Sequence, residues 1–229
     1  PLLGTTDLYV DPDTSLILNQ LSSGWEIKSL KNSQVETYDS KGRLIRIAYI
    51  GNQFVTISYS NTTTFKANTI TDQFGRKLTL TYDRAGYLTS IKLPNAQSVQ
   101  YSYNGNILWA VNRPSSGTKY YNYNENTLVA PSKNPYLLTG ISNELGNRFA
   151  NYAYDEFDRG ILTEHAGNTQ QFRFNYSENN TQVTDPYGTQ REYSRSRISG
   201  TQYIGTVKRG TTTESRSEYD SSGNLVRYE

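Results

Sequence analysis

His165, in the run TEHAG, is the only imidazole of the chain, and no cysteine accompanies it. A hydrolytic triad needs a nucleophile, a base and a group that orients the base. No such set can be assigned here, and His165 reads as a surface or hairpin residue. Paired carboxylates could hydrolyse a glycoside. However, Asp39, Asp72, Asp83, Asp185 and Asp220 recur across the whole chain, and groups spread in this way do not converge on one bond. Asp11 and Asp13 in VDPDT, and Asp155, Glu156 and Asp158 in YDEFD, offer oxygens that calcium would accept. Neither spacing completes a calcium loop, so both stretches read as acidic turns. The remaining chemistry lies in 20 tyrosines, whose rings stack on sugars and whose hydroxyls bond to them. No catalytic residue, cofactor site or metal site is assigned, and the chain reads as a non-enzyme.

The composition bounds the class. The chain has 229 residues, 34% of them apolar, and a mean hydropathy of −0.72. Tyrosine favours strands, because its flat amphipathic ring suits a half-buried pleated surface. The formal net charge of +2 comes without a basic stripe, which argues against nucleic acid as a partner. No apolar run is long enough to span a membrane as a helix. The absence of cysteine fits passage through an oxidising compartment. The chain starts at PLLG without methionine, and the expectation is a piece of a longer protein.

The tyrosines are placed by elements of period two. Val55, Ile57 and Tyr59 alternate with polar residues, as do Leu78, Leu80 and Tyr82; Val99, Tyr101 and Tyr103; Ala150, Tyr152 and Tyr154; and Phe172, Phe174 and Tyr176. Alternation of this kind places one set on one face of a strand. The tyrosines recur at steps of 23, 21 and 22 residues, which is the length of one β-hairpin with its turns.

Six quartets mark the turns: Asp39 to Gly42, Asp72 to Gly75, Asp83 to Gly86, Asn143 to Gly146, Asp185 to Gly188 and Asp220 to Gly223. An Asp or Asn in first place caps a type I turn, and the glycine in fourth place takes positive φ. After Tyr154 and Asp155 the glycine is replaced by Asp158, which predicts a strained or longer turn. Return strands open with apolar residues such as Leu44, Ile45 and Ile47, or Leu88 and Ile91. Residues 1–30 match the repeat poorly and read as a capping or connecting segment, with Leu16, Leu18 and Trp25 in a hairpin. Residues 31–229 hold the hairpin repeats, with a loop at about 124–137 rich in Pro, Asn and Ser.

The wording Tyr38-Asp39-x-x-Gly42-x-Leu44, repeated at Tyr82-Asp83-x-x-Gly86-x-Leu88 and at Tyr219-Asp220-x-x-Gly223-x-Leu225, resembles the YD-repeat, or RHS-repeat, family. The runs 137–167 and 183–193 are similar to the middle region of RHS proteins. The resemblance implies an all-β fold of antiparallel hairpins that forms a curved, spiralling sheet, a segment of a hollow β-shell. It implies partners as well: the remainder of the shell and an enclosed C-terminal toxin, in a bacterial protein that is secreted or held at the cell surface. The family's self-cleaving segment is matched only at its DPxG opening, Asp185 to Gly188, so no protease role is carried over.

The competing reading is a carbohydrate- or cell-surface-binding module of adhesin type. Tyrosine at a fixed repeat phase is also what a structural ladder requires, each ring packing on the next for about 0.2–1 kcal/mol per pair. The ladder is therefore expected, with no tight sugar binding. The motifs at Asn61, Asn175 and Asn179 fit glycosylation acceptors but occur by chance in so Asn- and Thr-rich a chain. Unpaired first and last strands are expected to invite self-association through their edges, with Arg191, Arg195 and Arg197 blunting one edge and Leu2, Leu3, Leu8 and Leu16 leaving the other bare.

Overall fold

The computed structural model describes residues 7–11, 15–61, 64–130 and 134–229. Leu2, Leu3 and Asp13 lie outside the described residues, as does the side chain of Leu8. The structure is all-β, with 21 strands among the described residues and a single three-residue helical turn at Ile50–Asn52. Two units divide the chain: residues 1–102 with 112–115, and residues 103–111 with 116–229.

The first unit runs from β1 (Asp7–Asp11) through β2 (Leu16–Leu21), β3 (Gly24–Ser29), β4 (Val35–Asp39), β5 (Leu44–Ala48), β6 (Phe54–Tyr59), β7 (Ala67–Asp72), β8 (Lys77–Tyr82) and β9 (Leu88–Lys92) into β10 (Ser98–Asn104). Each strand pairs antiparallel with the next. The cause is visible in β8, where KLTLTY alternates strictly between exposed and half-buried positions. Registers place Ile47 opposite Val55, Ile57 opposite Ile70, Ile70 opposite Leu78, Leu80 opposite Ile91 and Ile91 opposite Val99. One face of this ladder is therefore an apolar row. Leu16, Leu18 and Trp25 lie in a regular β2–β3 hairpin that pairs on with β4.

The second unit holds most of β11 (Ile107–Arg113), then β12 (Gly117–Tyr123), β13 (Leu138–Ser142), β14 (Arg148–Tyr154), β15 (Gly160–His165), β16 (Thr169–Tyr176), β17 (Asn180–Thr184), β18 (Gln190–Ile198), β19 (Thr201–Arg209), β20 (Thr212–Tyr219) and β21 (Leu225–Tyr228). From β12 onward, sequential strands again pair antiparallel. The segment between β12 and β13 folds back: Tyr154 donates its N–H to the Leu128 carbonyl, and Ala130 donates to the Tyr154 carbonyl.

One edge expectation is corrected. Arg191, Arg195 and Arg197 belong to β18, which is paired on both sides, by β17 and by β19. They blunt no edge; Arg195 instead donates to the carbonyls of Ser177 and Asn180, at 2.6 and 3.2 Å. In β21, Leu225 and Val226 are exposed at 55% and 62%, so this apolar pair contributes nothing to a core.

Burial within each ladder is shallow. Among the described residues the fully buried apolar side chains are Ala110, Val111, Leu137, Ala150 and Ala153, all in the second unit. Elsewhere burial is partial.

Candidate functional site

The repeated Tyr–Asp turn is the feature to build from. The Oδ1 of Asp39 accepts the backbone N–H of Lys41 and of Arg43, both at 2.9 Å, and its Oδ2 accepts Arg43 Nε at 2.7 Å. The Asp39 N–H donates to the Arg43 carbonyl, and its carbonyl accepts from Gly42. The same backbone closure recurs at Asp72–Arg76, Asp83–Tyr87, Asn143–Asn147, Asp155–Arg159, Asp185–Thr189 and Asp220–Asn224. Gly42, Gly75, Gly86, Gly146, Gly188 and Gly223 have φ between +77° and +94°, the left-handed region that a fourth-place residue of this turn must enter. Asp158 enters it too, at +61°. The turn there has the ordinary length, because aspartate tolerates left-handed φ; of the strained or longer turn expected from the missing glycine, the longer form does not occur and the left-handed non-glycine residue does.

Five of the turn carboxylates, Asp39, Asp72, Asp155, Asp185 and Asp220, titrate low. The Arg43 N–H, and then the Arg43 guanidinium, hold Asp39 below the usual carboxylate range. Burial pushes Asp72, Asp155 and Asp185 up, but hydrogen bonds outweigh it, from Arg76, from Arg159 and from the Thr189 and Tyr187 N–H groups. The side chain and N–H of Asn224 lower Asp220.

Opposite six of the repeat tyrosines the ladder is irregular in the same way, whereas Tyr176 pairs regularly with Thr181. The register slips by one residue at Tyr38, Tyr59, Tyr82, Tyr123, Tyr154 and Tyr219. The extra residue sits on the return strand: Ile45, Asn68, Thr89, Thr139, Ile161 and Val226 in turn. A bulge of this kind disrupts the local ladder, and a buried carbonyl without a partner is costly. The next tyrosine supplies the partner. Tyr59 Oη donates to the Leu44 carbonyl at 2.9 Å, and Leu44 faces Tyr38. Tyr82 donates to Ala67, which faces Tyr59; Tyr154 to Leu138, which faces Tyr123; and Tyr176 to Gly160, which faces Tyr154. Each of these four tyrosines thus holds the carbonyl opposite its predecessor.

This differs from the expected stack of rings. The rings of Tyr59 and Tyr176 instead lie under cations, Arg43 and Arg159, both at 4.6 Å, and Lys66 stands 5.9 Å from the Tyr82 ring. Each arginine also pairs with its turn aspartate at 2.7 Å. At the C-terminal end two tyrosine rings do meet, Tyr203 and Tyr219, with centroids 4.6 Å apart. Tyr38 departs from the pattern: it donates to Glu36 at 2.5 Å, and burial together with this bond pushes it to about 12.

The second unit adds a polar network that no motif announces. Arg148 binds Glu125 with both terminal nitrogens, at 2.5 and 3.2 Å, and reaches Asn151 at 2.7 Å. Asn151 and Gln171 both donate to the buried Glu164. Glu125 also accepts from Thr139, which is fully buried. Burial raises the Glu125 carboxyl, but Arg148 and Thr139 pull it below its ordinary range. Gly140 lies beneath the Arg148 guanidinium, where a Cβ would come within 2.0 Å of it.

His165 stands exposed at the end of β15, 5.1 Å from the Phe149 ring, and no base–nucleophile pair is built around it. Asp155 is engaged by its own turn and by Arg159. Among the described residues no cluster of three or more acidic or imidazole groups is arranged to hold a metal ion. What the arrangement does is fasten hairpin to hairpin.

The family model described as Teneurin YD-shell matches residues 20–229. No curated protein matches the chain. Among solved structures, the crystal structure of TcdB2-TccC3 aligns with 94% of this chain and 18% of that one, at 12% identity and a TM-score of 0.31. The Photorhabdus luminescens Tc holotoxin pore with a mutated TccC3 aligns with 96% of this chain and 17% of that one, at 13% identity and a TM-score of 0.34. The chain thus spans less than a fifth of the length of these structures.

Proposed function

The chain belongs to the Teneurin YD-shell family, and we propose that it forms part of the wall of a hollow β-shell that encloses and shields a C-terminal toxin before delivery. The carrying observation is the tyrosine ladder. It ties each hairpin to the next along the wall, where an ordinary domain would gain its stability from a second layer.

The role we assign is passive and non-catalytic: closed hairpins keep the toxin from its target and from proteases until release. Export from a bacterium, as a secreted or surface protein, belongs to the same proposal. The test is protease protection in the intact protein. The enclosed segment should resist digestion while the wall is folded and be degraded once the ladder is broken by Tyr59→Ala with Tyr82→Ala. Equal degradation in both proteins would refute enclosure.

A further inference from the structure

Two repeats of the first unit place a cation 16 residues before their tyrosine: Arg43 stands over the Tyr59 ring and Lys66 over the Tyr82 ring. In the second unit the same place before Tyr219 holds Tyr203, and the two rings meet with centroids 4.6 Å apart and planes tilted by 42°. The exchange is one for one. A Cβ on Gly86 would collide with the Lys66 ammonium, and one on Gly223 would collide with the Tyr203 phenol. Lys66 and Tyr203 thus fill the same slot, over the turn glycine that follows the tyrosine. Counted from the Thr206–Arg216 pair of β19 and β20, Tyr203 and Tyr219 each lie three residues further along, so they stand across from one another.

Putting a phenol where a cation stood changes the chemistry of the pair. A cation over a ring is attracted by the ring's electrons, and so opposes their removal. Tyr203 brings no charge to Tyr219. It brings a second oxidisable ring, at the near end of the contact range of aromatic pairs, about 4.5–7 Å between centroids. Both rings are half-buried, so a small oxidant reaches them. The sequence has no cysteine, and an oxidative cross-link within it cannot be a disulfide.

We propose that Tyr203 and Tyr219 form an oxidative cross-linking site, where a bond between their ortho ring carbons makes a dityrosine. The oxidant is a peroxide, used by a haem peroxidase. Each phenol gives up its O–H hydrogen as one electron and one proton, and the peroxide is reduced to two waters. The two phenoxyl radicals couple, Cε to Cε. The ring hydrogens at the new bond then leave as protons while the two oxygens regain theirs, so both hydroxyls are restored. The bond closes a loop of 16 residues between β19 and β20, and restricts the unfolded chain as a disulfide does. It fastens β20 and, through it, the exposed four-residue β21. The site does not depend on the wall reading.

Treating the whole chain with a haem peroxidase and hydrogen peroxide tests the proposal, with N-acetyltyrosine oxidised in a parallel reaction as the control for coupling. Dityrosine fluorescence should appear in the monomer band of a denaturing gel. Peptide mapping should find residues 203 and 219 in one cross-linked species that is short of two hydrogen atoms. Tyr203→Phe and Tyr219→Phe keep both rings in place and should each abolish the signal. Tyr203→Lys, which restores the cation of the first-unit repeats, should abolish it as well, whereas Tyr101→Phe should leave it unchanged. A monomer without dityrosine while N-acetyltyrosine couples, dityrosine mapped to another pair, or a signal that survives Tyr203→Phe would each overturn it.

Discussion

The guanidinium of Arg43 lies 4.6 Å from the centroid of the Tyr59 ring, while the Tyr59 hydroxyl holds the carbonyl of Leu44, the residue that follows Arg43. Arg159 and Tyr176 repeat this with the carbonyl of Gly160. Ring and hydroxyl thus grip the start of the same return strand. Replacing Tyr59 by Phe should keep the cation–ring contact and lose the hydrogen bond, at about 1 kcal/mol. The melting temperature should fall by about 2–4 °C. Tyr59→Ala should cost clearly more, and equal losses would assign the whole effect to the hydroxyl. Thermal denaturation followed by circular dichroism reads both.

Gly24 and Gly42 should respond very differently to alanine. A Cβ on Gly24 would lie 2.0 Å from the Tyr38 carbonyl oxygen, whereas one on Gly42 meets nothing within 4 Å. Gly42→Ala bears only the cost of left-handed φ, about 1–2 kcal/mol. Gly24→Ala must also move the backbone of β4, so its loss should be larger, about 2–4 kcal/mol. Urea titrations of the two variants give the ranking.

Acid should unfold the chain from the turns. Asp39, Asp72, Asp155, Asp185 and Asp220 all titrate below their ordinary range in the fold. The stability they contribute is full above the unfolded value of about 3.9 and is lost as pH falls through the lower folded values. Stability should be flat from about pH 7 to 5 and fall steeply below about pH 4. Asp39→Asn, which keeps an acceptor but no charge, should flatten part of that fall.

Alkali should act through Tyr38. Its hydroxyl, bonded to Glu36 at 2.5 Å, is pushed to about 12. The neutral phenol is favoured by the fold, so this stability is complete below the unfolded value of about 10 and disappears as pH rises towards 12. Absorbance at the phenolate band, compared between the wild type and Tyr38→Phe, should show one late-titrating group missing in the variant. Glu36→Gln should bring that group to lower pH.

Much of the fold was legible because two signals agree. Period-two alternation in KLTLTY predicts β8, and Asp83 with Gly86 predicts the turn that ends it. The bulges were legible only indirectly. Leu44 and Ile47, or Leu88 and Ile91, stand three apart in strands of period two, and one extra residue is what returns both to the same face. The tyrosine-to-carbonyl bonds follow from those bulges and were hidden with them; alternation alone points to stacked rings. The Glu125–Arg148 network was invisible because Glu125 lies in a stretch whose Pro, Asn and Ser read only as a loop. The paired place of Arg191, Arg195 and Arg197 was misjudged because the turns that join β18 to β19 and β19 to β20 lack the Asp-x-x-Gly form that marks a hairpin elsewhere.

The central claim is that this ladder is a wall around a polypeptide. Electron cryo-microscopy of the protein made from its intact gene tests it most directly. The account predicts a hollow shell one sheet thick, with the Tyr59, Tyr82, Tyr154 and Tyr176 hydroxyls on their carbonyls and polypeptide density inside. A sheet folded face to face on itself, or on a second copy, with no enclosed polypeptide would contradict it.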